Sequence, residues 1–456
     1  MTDRISGDIL AALPEEIIDL VRALIDKSRA KGATLYLVGG PVRDWLLGEV
    51  ISDVDLLIEG GPAKTPETLA RNLSGPEVQI REHPRFGTLT LAVGDHTLDL
   101  ASLRKEEYAH DGALPRVSPG TLEDDLLRRD FSINALALPL RSSRDGDESS
   151  VSDIIDIVDG LADLADRTLR VLHPKSFHDD PTRVLRAVRL STRLGLRLSR
   201  GSRSYLRDAL RDGVFGRVSG DRLRREFEKL FSDARRGGRP AVALERLESW
   251  HVLGAIEPGL ILDPRAKPAL RRLGKLIANP AWRPREYRPW VAGLCLWLAP
   301  LSPAMRRRTI KRLSIRGDVG GRIVDFAKAR SKWIKALEGT RGRGAVDVVL
   351  SQLDEEQLVA LCASCEPLLR RRVVRWAAED RDRRIPVSGR DLVNAKLEGP
   401  VVGAALSRIR SAFLDGEVAN REEAMALARE FQRTTTARQA RRKKPKKPSQ
   451  AKPKPQ

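Results

Sequence analysis

Aromatic residues make up only 4% of this 456-residue chain, so any core must be built mainly from Leu, Val, Ile and Ala. Cysteine is nearly absent: Cys295, Cys362 and Cys365 are all there are. So sparse and odd a count argues against a disulfide framework and suits a reducing cytoplasm. Cys362 and Cys365 form a lone C-x-x-C in EQLVALCASCEPLL. A structural zinc site needs four ligands, and no second pair exists, so these read as two half-buried thiols of a helix. His83, His110, His173 and His178 show no metal-ligand spacing. No apolar run approaches the roughly 20 residues needed to span a bilayer, so no membrane partner is expected. The N-terminal MTDRISGDIL has early acids and no apolar signal core. No secretion signal is expected from it, and the localisation implied is cytoplasmic. There is no internal repeat and no heptad run.

Basic charge is abundant. Lys and Arg number 82 against 62 acids, a net charge of +20. Such a surface favours polyanions. From Arg433 to the end there are ten Lys or Arg and no acid, so half of the excess sits in that tail. The other half is spread over the remaining chain, so a nucleic-acid partner does not depend on the tail alone. The length suggests two to four domains.

Periodicity divides the chain. Residues 8–31 carry apolar positions three and four apart, as in an amphipathic helix. TLYLVGG is a short strand ending in paired glycines, VRDWLLG is a helical turn closing on Gly48, and SDVDLLIEG is a second strand. PETLARNL reads as a helix, and EVQIREH, GTLTLAV and HTLDLASL read as strands. Residues 141–150 form a polar loop, followed by the strand-like DIIDIVDG. From about Thr168 the period becomes helical and stays so to Arg433, with Pro- and Gly-rich breaks near 234–240, 278–289 and 383–390. The expected fold is an α/β head with a small mixed sheet, followed by all-α domains. Its expected divisions are a head at 1–165, a helical neck at 166–235, a helical body at 236–385, a helical C-terminal segment at 386–433 and a disordered basic tail at 434–456.

The chemistry concentrates in LVGGPVRDWLLGEVISDVDLLIEG. Side chains alternate along a strand, so Asp53 and Asp55 share a face. Two neighbouring carboxylates repel, and a divalent cation between them removes the problem. Their oxygens suit Mg²⁺, which typically takes a few carboxylates plus substrate phosphates. Gly39 and Gly40 can bring backbone N–H groups close to a phosphate, and Arg43 adds charge. Asp99, in HTLDLASLR, is a third carboxylate that a neighbouring strand could place beside the pair. D-x-D alone is common at solvated strand ends. A Gly-Gly, twelve residues, then D-x-D flanked by Val, Leu, Leu and Ile is far more specific.

With these motifs the chain resembles the nucleotidyltransferases of the polymerase-beta superfamily. It is most similar to the bacterial class II tRNA nucleotidyltransferases (CCA-adding enzymes) and the bacterial poly(A) polymerases. GGPVRD with DVD matches the first motif, and LDLASLRKEEY matches the strand of the third carboxylate. DDLLRRDFSINALAL (124–138) matches the arginine- and asparagine-containing motif, and HDDPTRVLRAVRL (178–190) the base-recognition motif. RVSGDRLRREFEKLF (217–231) matches the helix that follows. SGRDLVNAKLEGPVVGAALSRIRSAFLDGE (388–417) resembles the C-terminal segment of tRNA-modifying members. The family's usual Glu-Asp is Asp179-Asp180 here.

The resemblance implies a template-independent enzyme that adds C and A residues to the 3′ end of tRNA from CTP and ATP with Mg²⁺, by a two-metal mechanism. Asp53, Asp55 and Asp99 are the implied catalytic carboxylates, and Asp53 and Asp55 the metal ligands. Gly39, Gly40, Arg43 and Arg129 are assigned to the nucleotide. Asp180 and Arg183 are assigned to base choice, and Arg186 and Arg189 continue their face. Cytosine and adenine each pair an amino donor with a ring-nitrogen acceptor, which a carboxylate and a guanidinium complement; guanine and uracil do not. Phe131 and Asn134 can support the nucleotide pocket or be a packed ring and a helix cap, and structural support is the reading preferred. Addition of only CC, only A or a poly(A) tail are the alternatives, with a catalytically dead RNA-binding protein as the rival of a different class.

Overall fold

The computed structural model describes residues 9–51, 53–60, 66–70, 78–83, 88–94, 96–141 and 150–443. They fall into two compact units. The first takes most of the chain to Ile261 together with Lys311–Ile315, and the second takes most of the remainder. Nearly all of the expected head and neck fall in the first unit, which also takes Gly237–Ile261 and Lys311–Ile315 from the expected body; the rest of the body and the C-terminal segment fall in the second. Most of the expected 141–150 loop lies outside the described residues.

The first unit is built on a seven-stranded sheet. Its strands are β1 (Ala33–Val38), β2 (Asp53–Gly60), β3 (Gln79–His83), β4 (Thr88–Val93), β5 (His96–Ser102), β8 (Leu136–Pro139) and β9 (Ile155–Asp156), while β6 (Arg104–Glu107) and β7 (Arg116–Pro119) form a separate hairpin. The order is β3-β4-β5-β2-β1-β8-β9. Only β2 and β5 run parallel, at the centre; every other pairing in this sheet is antiparallel. Alternation sorts the strand residues between two faces. Leu35 and Leu37 of β1, Leu56 and Ile58 of β2, and Leu98 and Leu100 of β5 are buried. The helix Glu15–Ala30 packs on β1 and β5, burying Ile17, Val21 and Leu24. On the other set of positions, Tyr36, Val38 and Leu57 pack with Leu126, Ala135 and Ala137. Asp53 and Asp55 are in phase with Leu57, so they share its face at the strand's N-terminal end.

The helix expected over 8–31 is interrupted. Ile9–Ala12 is a 3₁₀ turn, and the α-helix starts at Glu15 after Pro14, whose backbone is extended at ψ 135°. A proline ring excludes the helical conformation for the residue before it, so the two segments cannot run together. The strand-like DIIDIVDG contributes only Ile155 and Asp156 to the sheet. The Asp156 carboxylate accepts the N–H groups of Val158, Gly160 and Leu161, turning the chain into the next helix.

The second unit is all-helical among its described residues. The helix Pro289–Leu298 is buried on every side, from Trp290 to Leu298, as a helix without a polar face must be. Lys267–Ala278, Gly317–Glu338 and Glu355–Ser364 pack around it. Cys295, Cys362 and Cys365 are free and buried. Burial pushes the Cys362 thiol up to about 12 and that of Cys365 to about 11, so both are packing groups rather than nucleophiles. Leu392, Leu397, Ala405, Ile409, Ala412, Ala424 and Ala428 form the core of the C-terminal segment. The buried Asp347 accepts from Trp376 Nε1 at 2.8 Å and from Arg410 Nε and Nη2 at 2.8 Å each, which ties that segment to the body. The last helix runs from Arg421 to Lys443, ten residues past the point where a disordered tail was expected; the rest of the tail lies outside the described residues. No helix among the described residues is long and apolar enough to cross a membrane.

Candidate active site

The turn between β1 and the helix Gly40–Leu47 sets one wall of the site. Gly39 has φ +75° and ψ −122°, a conformation that favours glycine. A Cβ there would lie 2.5 Å from Arg129 Nη1. The glycine therefore gives the Arg129 guanidinium room against the backbone. Gly39→Ala is expected to lower stability by about 1–2 kcal/mol through the left-handed backbone alone. It should also push Arg129 aside, so kcat should fall more than the thermal midpoint predicts. Thermal melts beside steady-state rates check this; unchanged kcat would remove Arg129 from the site.

The carboxylates meet through the parallel β2–β5 pairing. Asp55 is directly opposite Asp99, and Asp53 is opposite Thr97. Thr90 on β4 donates its hydroxyl to Asp99 Oδ1 at 2.6 Å. Asp53 is exposed at the mouth and Asp55 is half-buried. The Asp55 pKa is raised from 3.8 to about 6, first by burial; Asp99 and Asp53 add to the shift, and Arg129 and Arg43 oppose it. Three carboxylates are set against two guanidiniums, and both of these already have partners in Asp44 and Asp125. No group of three or more His, Cys, Asp or Glu side chains among the described residues is gathered as a metal cage. A hard cation that keeps water and phosphate ligands needs only one or two carboxylates from the protein. The donor set, all carboxylate oxygen with surplus negative charge, fits such an ion.

Arg43 is buried, and its donors go to Asp44 (Nε and Nη2, at 2.8 and 2.7 Å) and to the Asn134 side chain. Asn134 in turn donates to Asp130 at 2.8 Å. Asp44 also holds Arg193 at 3.0 Å. Arg43 is therefore a fixed positive charge behind the glycine turn rather than an open clamp. Arg129 donates to the buried Asp125 at 3.0 Å, and its Nε is buried with no partner among the described residues. Phe131 is fully buried, as expected of a supporting ring.

The helix Thr182–Arg193 carries most of the residues expected to choose the base. Asp180, just before it, accepts at Oδ1 from Thr182 N (2.9 Å), Thr182 Oγ1 (2.6 Å) and Arg222 Nη2 (2.7 Å). Arg222 also donates to the Gly112 carbonyl at 2.8 Å. Arg183 is buried and points inward, donating to Ser176 Oγ at 2.6 Å and to the Arg128 carbonyl at 2.9 Å. Arg186 donates to Asp130 at 3.1 Å. Burial works against the Arg186 cation, but Asp130, Glu226 and Asp180 raise its pKa above the ordinary value. Burial likewise opposes the Asp130 anion, yet Arg186, Asn134, Arg183 and Arg129 hold its pKa below the usual range. Arg189 directs Nε and Nη2 to Asp233, at 2.8 and 3.1 Å, and Nη1 to Glu226 at 2.9 Å. It joins its helix to Gly220–Ser232, so the face expected to continue toward the nucleotide at Arg189 is closed by acids from that second helix.

Residues 35–170 match the family described as the poly A polymerase head domain. Over 91% of its length the chain is 30% identical to an A-adding tRNA nucleotidyltransferase of Geobacter sulfurreducens, covering 47% of that protein. Over 52% it is 39% identical to a CC-adding tRNA nucleotidyltransferase of Deinococcus radiodurans, covering 60% of it. The chain thus spans about half the length of these two relatives. A solved complex of a CCA-adding enzyme with CTP superposes with a TM-score of 0.65 at 25% identity, over 92% of this chain and 98% of that one. Both halves of the architecture, sheet-based head and helical remainder, are those of that structure.

Within residues 35–170, Gly39, Gly40, Arg43, Arg129, Asp53, Asp55 and Asp99 lie on adjoining elements: the β1 turn, the paired strands β2 and β5, and the Asp125–Asn134 segment. Arg222, Asp130, Asp125 and Tyr108 are site neighbours that motif spacing did not single out. Burial first, then Glu106 and Asp180, push the Tyr108 phenol up to about 12, against the pull of Arg183. Arg222 was within reach of sequence reading, because it lies on the quoted 217–231 helix. Its pairing with Asp180 was not.

Proposed function

We propose that this chain is a template-independent nucleotidyltransferase that extends the 3′ end of tRNA with C or A residues from CTP or ATP. The observation that carries this is the parallel pairing of Asp55 with Asp99, two positions from Asp53, with the Asp55 pKa raised to about 6. Paired carboxylates of this kind favour a divalent cation over a neutral ligand.

Asp53 and Asp55, with Asp99, would hold Mg²⁺. Bound there, the ion supplies positive charge for the attacking 3′-hydroxyl and the departing pyrophosphate. The β1 glycine turn admits the triphosphate close to the backbone, with Arg129 and the fixed charge of Arg43 behind it. Asp180 is anchored through Oδ1, which leaves Oδ2 to accept from the amino group of cytosine or adenine. Arg183 and Arg186 keep the surrounding helix ends in place and can turn to the ring nitrogen. The relatives' names support tRNA as the acceptor, and because they include both A-adding and CC-adding enzymes, the nucleotide added is the point to test.

The test uses tRNA transcripts ending before CCA, after CC, or intact, with Mg²⁺ and CTP and ATP supplied separately and together. Extension of the first by three nucleotides gives CCA addition. Extension by two with CTP alone, or of the CC-ended transcript alone with ATP, gives a partial enzyme. Long adenylate tails on unrelated RNA would replace tRNA with a poly(A) reading. No extension of any transcript would refute the enzyme.

A further inference from the structure

A cleft of about 650 Å³ opens in the second unit beside the N-terminus of the helix Arg343–Leu350 and the helix Pro367–Arg375. Its ionisable lining is five arginines (Arg341, Arg343, Arg371, Arg372 and Arg375) against the single acid Glu379. Two of the arginines build its walls. Arg343 pairs with the buried Asp380 and, at 2.7 Å, with Glu379. Arg372 donates to the Leu337 and Thr340 carbonyls at 2.7 and 3.3 Å. Arg341, Arg371 and Arg375 are exposed, and they have no hydrogen-bond or ion-pair partner among the described residues. Arg371 and Arg375 stand one turn apart on the same helix face, where like charges repel. Immediately after them the helix widens into a π turn, Trp376–Asp380, which delivers Glu379 and Asp380 to Arg343 and leaves the other guanidiniums uncompensated. Single π turns are frequently found at functional sites.

We propose that this cleft binds the phosphate backbone of the RNA substrate. The inference rests on the reading of the chain as an RNA-extending enzyme and adds a second contact surface to it. Every cation in the cleft is an arginine, whose planar fork takes a phosphate through two parallel bonds where a lysine offers a point charge. Two guanidiniums one helical turn apart can take successive phosphates. No aromatic ring and no Asn or Gln lines the cleft, so it has neither a stacking platform nor an amide to read a base edge. It therefore fixes RNA position without sequence preference.

The test is the full-length double variant Arg371→Ala/Arg375→Ala, which removes two exposed side chains and leaves the wall-forming Arg343 and Arg372 in place. RNA binding is measured against salt concentration, beside steady-state kinetics. The KM for tRNA is expected to rise about tenfold with kcat and the nucleotide KM unchanged. The slope of log affinity against log salt should fall by about 1.5, from two lost phosphate contacts. A second variant, Arg371→Lys/Arg375→Lys, should restore part of the affinity and the whole salt slope. Unchanged affinity and slope would overturn the proposal, as would a fall in kcat with the nucleotide KM. So would protection of the wild-type protein against thermal unfolding by inorganic phosphate or ATP that vanishes in the variant while RNA affinity holds, because that marks a free-nucleotide site. If the wild-type chain extends no RNA at all, it is the enzyme reading that fails, whereas wild-type extension with an unaffected variant removes the cleft alone.

Discussion

Asp55→Asn is expected to lower kcat for nucleotide addition by on the order of 10³-fold, while making the metal-free protein more stable. The first effect follows from the register. Asp55 is the half-buried member of the carboxylate set, opposite Asp99 and two residues from Asp53. An amide there would remove one anionic ligand from the proposed ion, whose charge stabilisation would be worth several kcal/mol, and each 1.36 kcal/mol is a factor of ten in rate. The second effect follows from the raised pKa, from 3.8 to about 6, caused first by burial and then by Asp99 and Asp53. Between these two values the native state holds a proton that the unfolded chain has released. Stability from this group is therefore full below about pH 3.8 and is lost as pH rises through about 6. The full shift corresponds to about 3 kcal/mol, and partial solvent access reduces that to roughly 1–2 kcal/mol. The substituted amide cannot ionise and escapes this loss. Thermal melts in EDTA should show the variant above wild type by a few degrees near pH 7.5 and by little near pH 4. Added Mg²⁺ should raise the wild type and not the variant. A variant that keeps its kcat would remove Asp55 from the metal set, and a stability difference independent of pH would refute the electrostatic account.

The strand carrying Asp53 and Asp55 was legible because alternation fixes which residues share a face whatever the strand's neighbours are. Asp99 was placed on a strand by the same rule. The direct pairing of Asp55 with Asp99 was not legible, because register between segments some forty residues apart is set by the strands between and beside them. The turn at Gly39 was legible as a glycine pair, but that its missing Cβ makes room for Arg129 depends on a contact ninety residues away in sequence. Helical spacing placed Arg183, Arg186 and Arg189 near one another without saying what faced them. Glu226 comes from a separate helix and Asp233 from the residue that ends it, and they turn Arg189 into an interhelical tie. Proline chemistry explains the break after Ala12, which apolar periodicity alone ran through.

Asp180→Asn is expected to lower the preference for CTP or ATP over UTP or GTP by about 10²-fold in kcat/KM. The carboxylate is set by its Oδ1, which takes both Thr182 donors and Arg222. No described residue donates to Oδ2, so a base amino group can reach it without displacing a protein bond. A carboxylate only accepts, and a base that offers a carbonyl at that position meets it oxygen to oxygen. An amide can accept or donate according to its orientation, so the variant accommodates either edge and the penalty on uracil and guanine disappears. A mismatched buried polar pair costs about 1–3 kcal/mol, which sets the scale of the lost discrimination. The same substitution weakens the Arg222 contact, so a companion change separates the two causes. Arg222→Ala leaves the carboxylate as an acceptor but loosens it, and should raise the nucleotide KM with selectivity largely kept. Single-nucleotide incorporation with each of the four triphosphates on one RNA provides the ratios. Selectivity unchanged in Asp180→Asn would sink its role in base choice, and equal loss in both variants would assign that role to the Arg222 clamp instead.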